Sequence, residues 1–315
     1  MARTRARPGR PRAAGRRPAA PSAAEARAAA ADRDRVGIGW RGPLAAGILA
    51  NLDRIDVVEV MADDLVGAPA AARRAVRTLA AQVPVTLHAV SLGLATAAPA
   101  DEAHISRIAR VVDAVGPESW SEHLAFVRAG GIEIGHLAAP PRTAATVEGA
   151  AQNIDAASRI SGGRPLVENV ATLIDPPLSD RDEATWICEV LDASGADLLL
   201  DLHNLHANAT NFRFDAGEFV RKIPADRIGA VHLSGGRWIV SSEATGSERR
   251  LLDDHLHDVP DPVYELLVEV ATRSPRPLTV ILERDGKFPP MDRLLAQLDR
   301  ARAAIAKGRA MAVAA

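Results

Sequence analysis

The stretch LLLDLHNLHANATNF (residues 198–212) runs from a wholly apolar segment straight into Asp201, His203, Asn204 and His206. Carboxylate, imidazole and carboxamide groups at the end of a buried run are the donors of a metal site or the acid and base of a catalytic one. The same juncture recurs along the chain. His88 lies in PVTLHAVSL, Glu122 and His123 in ESWSEHLAFV, Glu168 and Asn169 in RPLVENV, His232 in IGAVHLSGG, and Glu283 and Asp285 in PLTVILERD. Glu59 sits in DVVEVMA ahead of Asp63 and Asp64, and the segment before the last run adds Asp253, Asp254, His255 and His257. All nine histidines fall between residues 88 and 257, and only His104 and His136 lie clearly away from such junctures.

If these groups share one mouth, their charge must be compensated. Buried carboxylates repel one another, and burial pushes each toward its neutral form unless a counter-charge is near. The nearest basic residues at the run ends are Arg237, Arg284 and Lys287. Bound cations resolve the imbalance. Mixed imidazole and carboxylate donors without thiolate suit iron, manganese, zinc or cobalt. Single histidines such as His104 and His136 read as ordinary core or surface residues, Asp254 and His257 as a solvated loop, and Glu59 equally as a ligand or as the partner of a base in the floor.

The elements that must position these groups alternate. Apolar runs at 36–40, 56–62, 84–92, 118–127, 164–170, 196–204, 228–236 and 277–285 are each separated by a helical pattern, such as DEAHISRIARVVDAV or PDPVYELLVEVATR. Near-continuous apolar strands imply a parallel sheet covered on both faces. Eight β/α units in this length predict a single α/β domain of the (β/α)8 TIM-barrel class, in which ligand groups gather at the C-terminal strand ends. No GxGxxG follows the first strand, which argues against the doubly wound alternative.

Around that domain, residues 36–303, the ends differ. Residues 1–35 hold ten arginines against Glu25, Asp32 and Asp34, about +7, which leaves about −9 for the rest of the 315-residue chain. This Arg/Ala/Pro-rich stretch reads as a disordered tail, with a weak anion- or nucleic-acid-binding arm or an organelle-type targeting segment as alternatives. Residues 304–315 read as a second loose end. The acidic body and an aromatic content of 3% argue against nucleic-acid binding. No apolar run reaches transmembrane length, and the lone Cys188 fits a reducing cytoplasm.

The series LHAVSLGL, SEHLAF, LVENV, LLLDLHNLHANATNF, VHLSGG, LLDDHLHDVPDPVYELL and ILERDGKFP resembles the DUF692 family, also called UPF0276, in that family's motif order from about residue 36 to 303. The resemblance implies a xylose-isomerase-like TIM barrel holding two or three iron ions of mixed valence. Characterised members use dioxygen to modify cysteine residues of ribosomally synthesised precursor peptides, commonly with a partner protein that binds the leader peptide. The family's metal ligands fall on His88, Glu122, Glu168, Asp201, His232 and Glu283, and on the pair Asp253 and His255. Glu168 or Glu122 is expected to bridge two irons, and Glu168, Asp201 and Asn204 to act in catalysis, with the substrate thiolate bound at iron.

Two departures from the family pattern affect a third metal position. The common EVHAEN-like run is EVMADD here, so Met61 replaces a histidine, and HLAGH is HLSGG, so Gly236 replaces another. His206 is the candidate replacement. Two other readings use the same donors differently. One is a divalent-metal sugar isomerase or phosphodiesterase on a xylose-isomerase-like barrel. The other is a catalytically degraded barrel acting as a scaffold.

Overall fold

The computed structural model describes residues 33–129, 132–240 and 249–314. Eight parallel strands close into a barrel: β1 (Arg35–Gly39), β2 (Val58–Met61), β3 (Val85–Ala89), β4 (Trp120–His123), β7 (Leu166–Glu168), β8 (Leu198–Asp201), β9 (Ile228–Leu233) and β12 (Thr279–Leu282). Each falls within or one residue from a run expected to be a strand. They follow one another around the barrel in chain order, and β1 closes it by pairing with β12. Outward-facing Val, Leu and Ile side chains pack beneath the helices in one continuous core.

The helices between strands are α1 (Ala45–Leu49), α2 (Ala70–Ala80), α3 (Glu102–Val115), α4 (Ala144–Ser161), α5 (Glu183–Ser194), α6 (Leu202–Phe212), α7 (Ala216–Lys222), α8 (Asp261–Arg273) and α9 (Met291–Ala314). Their boundaries follow local chemistry. Asp101, Thr143, Asp182, Asp201 and Asp215 accept hydrogen bonds from backbone N–H groups in the first turns of α3, α4, α5, α6 and α7. Left-handed Gly116, Gly162 and Gly195 end α3, α4 and α5.

The loose end expected at 304–315 is instead helical as far as Ala314. Helix α9 buries Ile305 and Gly308, and the absence of a side chain at Gly308 lets α9 lie directly against Ala271 and Thr272 of α8. Arg309 clamps the last turns down by donating to both oxygens of Asp34 (3.0 and 2.7 Å) and to the Arg276 carbonyl. The tail expected over 1–35 lies, up to residue 32, outside the described residues. Arg33 and Asp34 already belong to the folded body through pairs with Asp56 and Arg309.

Two antiparallel hairpins stand on the C-terminal rim: β5 (Phe126–Ala129) with β6 (Ile132–Ala138), and β10 (Gly236–Val240) with β11 (Arg249–Asp253). They wall the mouth of the barrel. Among the described residues, no helix is long and apolar enough to cross a membrane.

Candidate metal centre

Strand register decides which side chains enter the barrel mouth. In a parallel pair, partnered residues face the same way, and neighbours along one strand face opposite ways. His123 pairs with Glu168 across β4 and β7, whereas Glu122 pairs with Ala89 and Val167. Asp201 pairs with His232 across β8 and β9. His88 pairs with Met61 and Ser121. The inward set is therefore His88, His123, Glu168, Asp201 and His232, joined by Glu283 immediately after β12.

These side chains form two groups of donor atoms, each within 4.8 Å of one another: His88, His123 and Glu168, and Glu168, Asp201, His232 and Glu283. Glu168 belongs to both. Its Oε2 lies 3.4 Å from His88 Nε2 and 3.3 Å from His123 Nε2, and its Oε1 lies 3.3 Å from His232 Nδ1. One carboxylate thus turns an oxygen toward each group. All six residues are buried, Glu168 at 1% exposure and Asp201 and His232 at 0%.

The far side of each donor is held. Ser121 Oγ lies 2.8 Å from His88 Nδ1 and is itself 3.4 Å from the Leu87 carbonyl, to which it donates. The serine oxygen therefore accepts from His88 Nδ1–H, leaving the Nε2 lone pair for the cluster. The Glu59 carboxylate lies 3.0 and 3.2 Å from His232 Nε2, which leaves Nδ1 facing Glu168 and Glu283. This is the carboxylate–histidine arrangement that orients metal ligands, and it places Glu59 as a partner of the floor base. Asp201 ends β8 and caps α6 at once: its Oδ1 accepts from Asn204 N at 2.6 Å, so Oδ2 is directed elsewhere.

Glu168 Oε2, Asp201 Oδ2 and His232 Nδ1 are buried and make no hydrogen bond; His123 Nδ1 is also unpartnered but faces Glu122 at 3.6 Å, while its Nε2 faces the cluster. His232 Nδ1 nevertheless lies 3.0 Å from Glu283 Oε2. The pair is close but misaligned for an N–H···O bond. Donors that converge in distance without pointing at one another fit a shared ion, and buried polar atoms without partners are rare otherwise. The donor set, imidazole and carboxylate without sulfur, suits iron, manganese, zinc or cobalt.

Electrostatics support this fit. Burial, then the Asp253 and Glu168 charges, hold the Asp201 carboxyl well above its ordinary range. Burial opposes charge on His232, but Glu283, Glu59 and Glu168 outweigh it and raise its pKa strongly. Burial likewise opposes charge on His123, yet Glu168 and Glu122 push it up to about 9. Without an ion, the cluster keeps neutral by holding protons; a cation does the same work while releasing them.

Other expected residues are not members of either group. Glu122 does not turn toward the cluster: one oxygen accepts from Leu92 N at 2.9 Å and the other from His123 N at 2.8 Å. Its place is taken by His123, which sequence reasoning noted but did not carry into the ligand set. Asp253 and His255 pair with each other at 2.8 Å. Asp253 also lies 2.5 Å from His203 Nδ1 and accepts from Ser234 at 3.0 Å, while Asp285 lies 3.1 Å from His255 Nδ1. They form a belt that touches the second group at one point, His255 Nδ1 lying 3.7 Å from Glu283 Oε2, and His255 Nε2 is likewise buried without a hydrogen bond. His206 stays with His203, ring centroids 6.1 Å apart, and does not enter. A Cβ at Gly236 would collide with the Leu252 carbonyl and come within 2.6 Å of His203 Cε1, so the glycine admits the His203 ring.

Asp254 pairs with His257 and Arg237 on the rim, as a loop would. His104 and His136 also stay outside: His104 links Ser91 to Arg128, and His136 is exposed. Arg41 is the cation that sequence reasoning overlooked. It follows β1, binds Asp285 at 2.5 Å and stands 3.9 Å from Glu283.

Comparison with known proteins places this cluster in context. Residues 35–306 match the family described as "RiPP precursor modification enzyme MbnB/TglH/ChrH". The chain belongs to the MbnB/TglH/ChrH family. Three curated UPF0276 proteins illustrate the kinship. The one from Streptomyces avermitilis is 34% identical over 279 residues, covering 86% of this chain and 55% of its own length, so the chain spans about half of that relative. The one from Rhizorhabdus wittichii is 32% identical, covering 79% of this chain and 86% of its own. The one from Bordetella bronchiseptica is 30% identical, covering 88% and 95%.

Solved structures share the fold alone. A xylose isomerase domain-containing protein from Salmonella typhimurium has a TM-score of 0.55 at 18% identity, covering 86% of this chain and 97% of its own. D-Psicose 3-epimerase from Clostridium cellulolyticum H10 has 0.54 at 12%, covering 88% and 99%. MbnB/TglH/ChrH proteins are enzymes that modify precursors of ribosomally synthesised, post-translationally modified peptides, and the buried cluster is this member's candidate metal-binding site.

Proposed function

We propose that this protein is an iron-dependent enzyme that uses dioxygen to modify cysteine residues of a ribosomally made precursor peptide in the cytoplasm. A partner protein that binds the leader peptide would deliver the substrate. One observation carries the reading: Glu168 stands between two groups of buried donors and offers one carboxylate oxygen to each.

His88, His123 and Glu168 would hold one iron, and Glu168, Asp201, His232 and Glu283 a second. When bound, the irons supply electrons to dioxygen and favour the deprotonated form of a substrate thiol. The chain's own residues do the rest. Glu59 holds the Nε2 proton of His232, and Ser121 holds the Nδ1 proton of His88, so each imidazole keeps one lone pair for the cluster. The amide of Asn204 fixes Asp201 with one oxygen free. Burial of the whole set excludes water from the place where the thiol and the bond to be oxidised must meet. Arg41 beside Glu283 and Asp285 limits the negative charge at the rim.

The test is to incubate the protein, ferrous iron, dioxygen and reductant with a cysteine-containing precursor peptide encoded near it, adding its neighbouring leader-binding protein. Mass spectrometry should show a mass change confined to cysteine. A Cys→Ser peptide, or protein loaded with zinc in place of iron, should give none. An unchanged peptide in the complete mixture, with iron bound, would overturn the proposal.

A further inference from the structure

A cavity of about 520 Å³ opens onto the cluster from the C-terminal face, and His123, Asn204, Asp253 and His255 form its inner end. Its outer walls come from three segments: β6 with the residues after it, the stretch after β7, and β11. Leu137, Ala139, Val170, Ile174, Pro176 and Leu252 represent them. Among the described residues these walls contain no lysine or arginine; His136 and Thr172 are polar members of them, and Asp253, the one carboxylate, is held by His203, His255 and Ser234. Ile174, 73% exposed, extends the apolar wall to the rim. A volume of this size takes a small molecule or a short chain segment and not a folded partner.

Asn204 supplies an unpartnered acceptor at the inner end of this space. It is 5% exposed. Its Nδ2 donates to the Asn169 carbonyl at 2.9 Å, which fixes the orientation of the amide, and its backbone N–H donates to Asp201. Its Oδ1 is buried without a partner. An acceptor held rigid at the inner end of the cavity, beside the carboxylate of Asp201, is matched by an N–H donor, and a peptide backbone carries one at every residue except proline.

We infer that this cavity selects a peptide segment whose residues flanking the reactive cysteine are uncharged and apolar, and that Asn204 Oδ1 accepts the backbone N–H of the cysteine itself. The inference rests on the proposed peptide-cysteine function of the same site. Charged flanking side chains would lose hydration against outer walls that are mostly apolar, and the charged groups at the inner end are already paired with one another. The carboxamide would set the thiol-bearing residue in register with the cluster, so Asn204 is a specificity and positioning residue for the reaction.

The test measures binding by fluorescence anisotropy under anaerobic conditions, with iron-loaded full-length protein and short labelled peptides. The reference is acetyl-Leu-Cys-Val-amide. A second peptide carries lysine and glutamate as flanks, a third is N-methylated at the cysteine nitrogen, and a fourth and fifth are the reference and the charged peptide with alanine for cysteine. The reference should bind at least tenfold more tightly than the charged peptide. N-methylation should weaken binding about fivefold, the size of one buried hydrogen bond, and should cost nothing further in Asn204→Ala. Ile174→Glu, at an exposed position, should weaken the reference and improve a peptide with two lysine flanks. Equal binding of apolar and charged peptides, or the same N-methyl penalty in Asn204→Ala as in wild type, would overturn the inference. The alanine-for-cysteine forms of both the reference and the charged peptide separate the two claims: they need no metal, so their difference in binding stands or falls with the walls, whereas absence of iron from the protein would sink only the metal reading.

Discussion

Glu59→Gln isolates one half of the proposed centre. Glu59 touches His232 and belongs to neither donor group. It is 4% exposed and its oxygens lie 3.0 and 3.2 Å from Nε2, so solvent screening is slight. Glutamine keeps the shape and one acceptor oxygen but loses the charge. A hydrogen bond to a charged group contributes about 1.5–3 kcal/mol and a neutral one about 0.5–1.5. The difference, about 1–1.5 kcal/mol, is roughly tenfold in affinity, at the low end of the tenfold to hundredfold seen when such outer partners are lost. The effect should fall on the group that contains His232 and spare the group of His88 and His123. Anaerobic titration of metal-free protein with cobalt(II), followed by visible absorbance, resolves the two affinities. One step should shift about tenfold and the other by less than twofold. Equal loss at both steps, or no shift at either, would refute the assignment of Glu59 to His232 alone.

Further outcomes follow from other contacts. His123→Ala should remove one metal equivalent and leave the second, whereas Glu122→Gln should perturb binding less, because its oxygens serve backbone amides; metal analysis after desalting compares them. Gly236→Ala should destabilise the protein by about 1–3 kcal/mol through collision with Leu252 and His203, read as a lowered urea midpoint. Arg309 holds the Asp34 carboxyl below its ordinary range against the opposing effect of burial. That pair is partly exposed, so Arg309→Ala should cost about 1 kcal/mol at most in charge terms. A depressed carboxyl stabilises above its unfolded pKa and loses this as pH falls through the folded value. The gap between wild type and Asp34→Asn in urea unfolding should therefore be full at pH 6 and shrink below about pH 4.

The barrel was legible because the strands are predominantly apolar and each connection carries helical periodicity. The polar strand ends then marked the mouth. What could not be read was register. Glu122 and His123 are neighbours of suitable chemistry, and only the pairing of His123 with Glu168 shows which one faces inward. Glu168 was among the candidates for the shared carboxylate, and the geometry sets it between the groups because its strand lies beside those of His123 and Asp201. The segment after Asp201 misled in another way. It reads as a strand continuing to residue 204, yet the chain enters α6 directly after Asp201, which turns His203 toward Asp253 and leaves His206 outside. Arg41 was missed because it sits 244 residues from Asp285 and no local pattern joins them. Residues 304–314 looked loose for want of large apolar side chains; alanine's helix propensity and the close approach at Gly308 suffice to dock them.

Anomalous diffraction at the iron edge, from crystals grown without oxygen, tests the central claim most directly. Two peaks should appear, one on each side of the Glu168 carboxylate, the first in reach of His88 and His123 and the second in reach of Asp201, His232 and Glu283. A single peak, or density centred on Asp253 and His255 with Glu168 unligated, would contradict it.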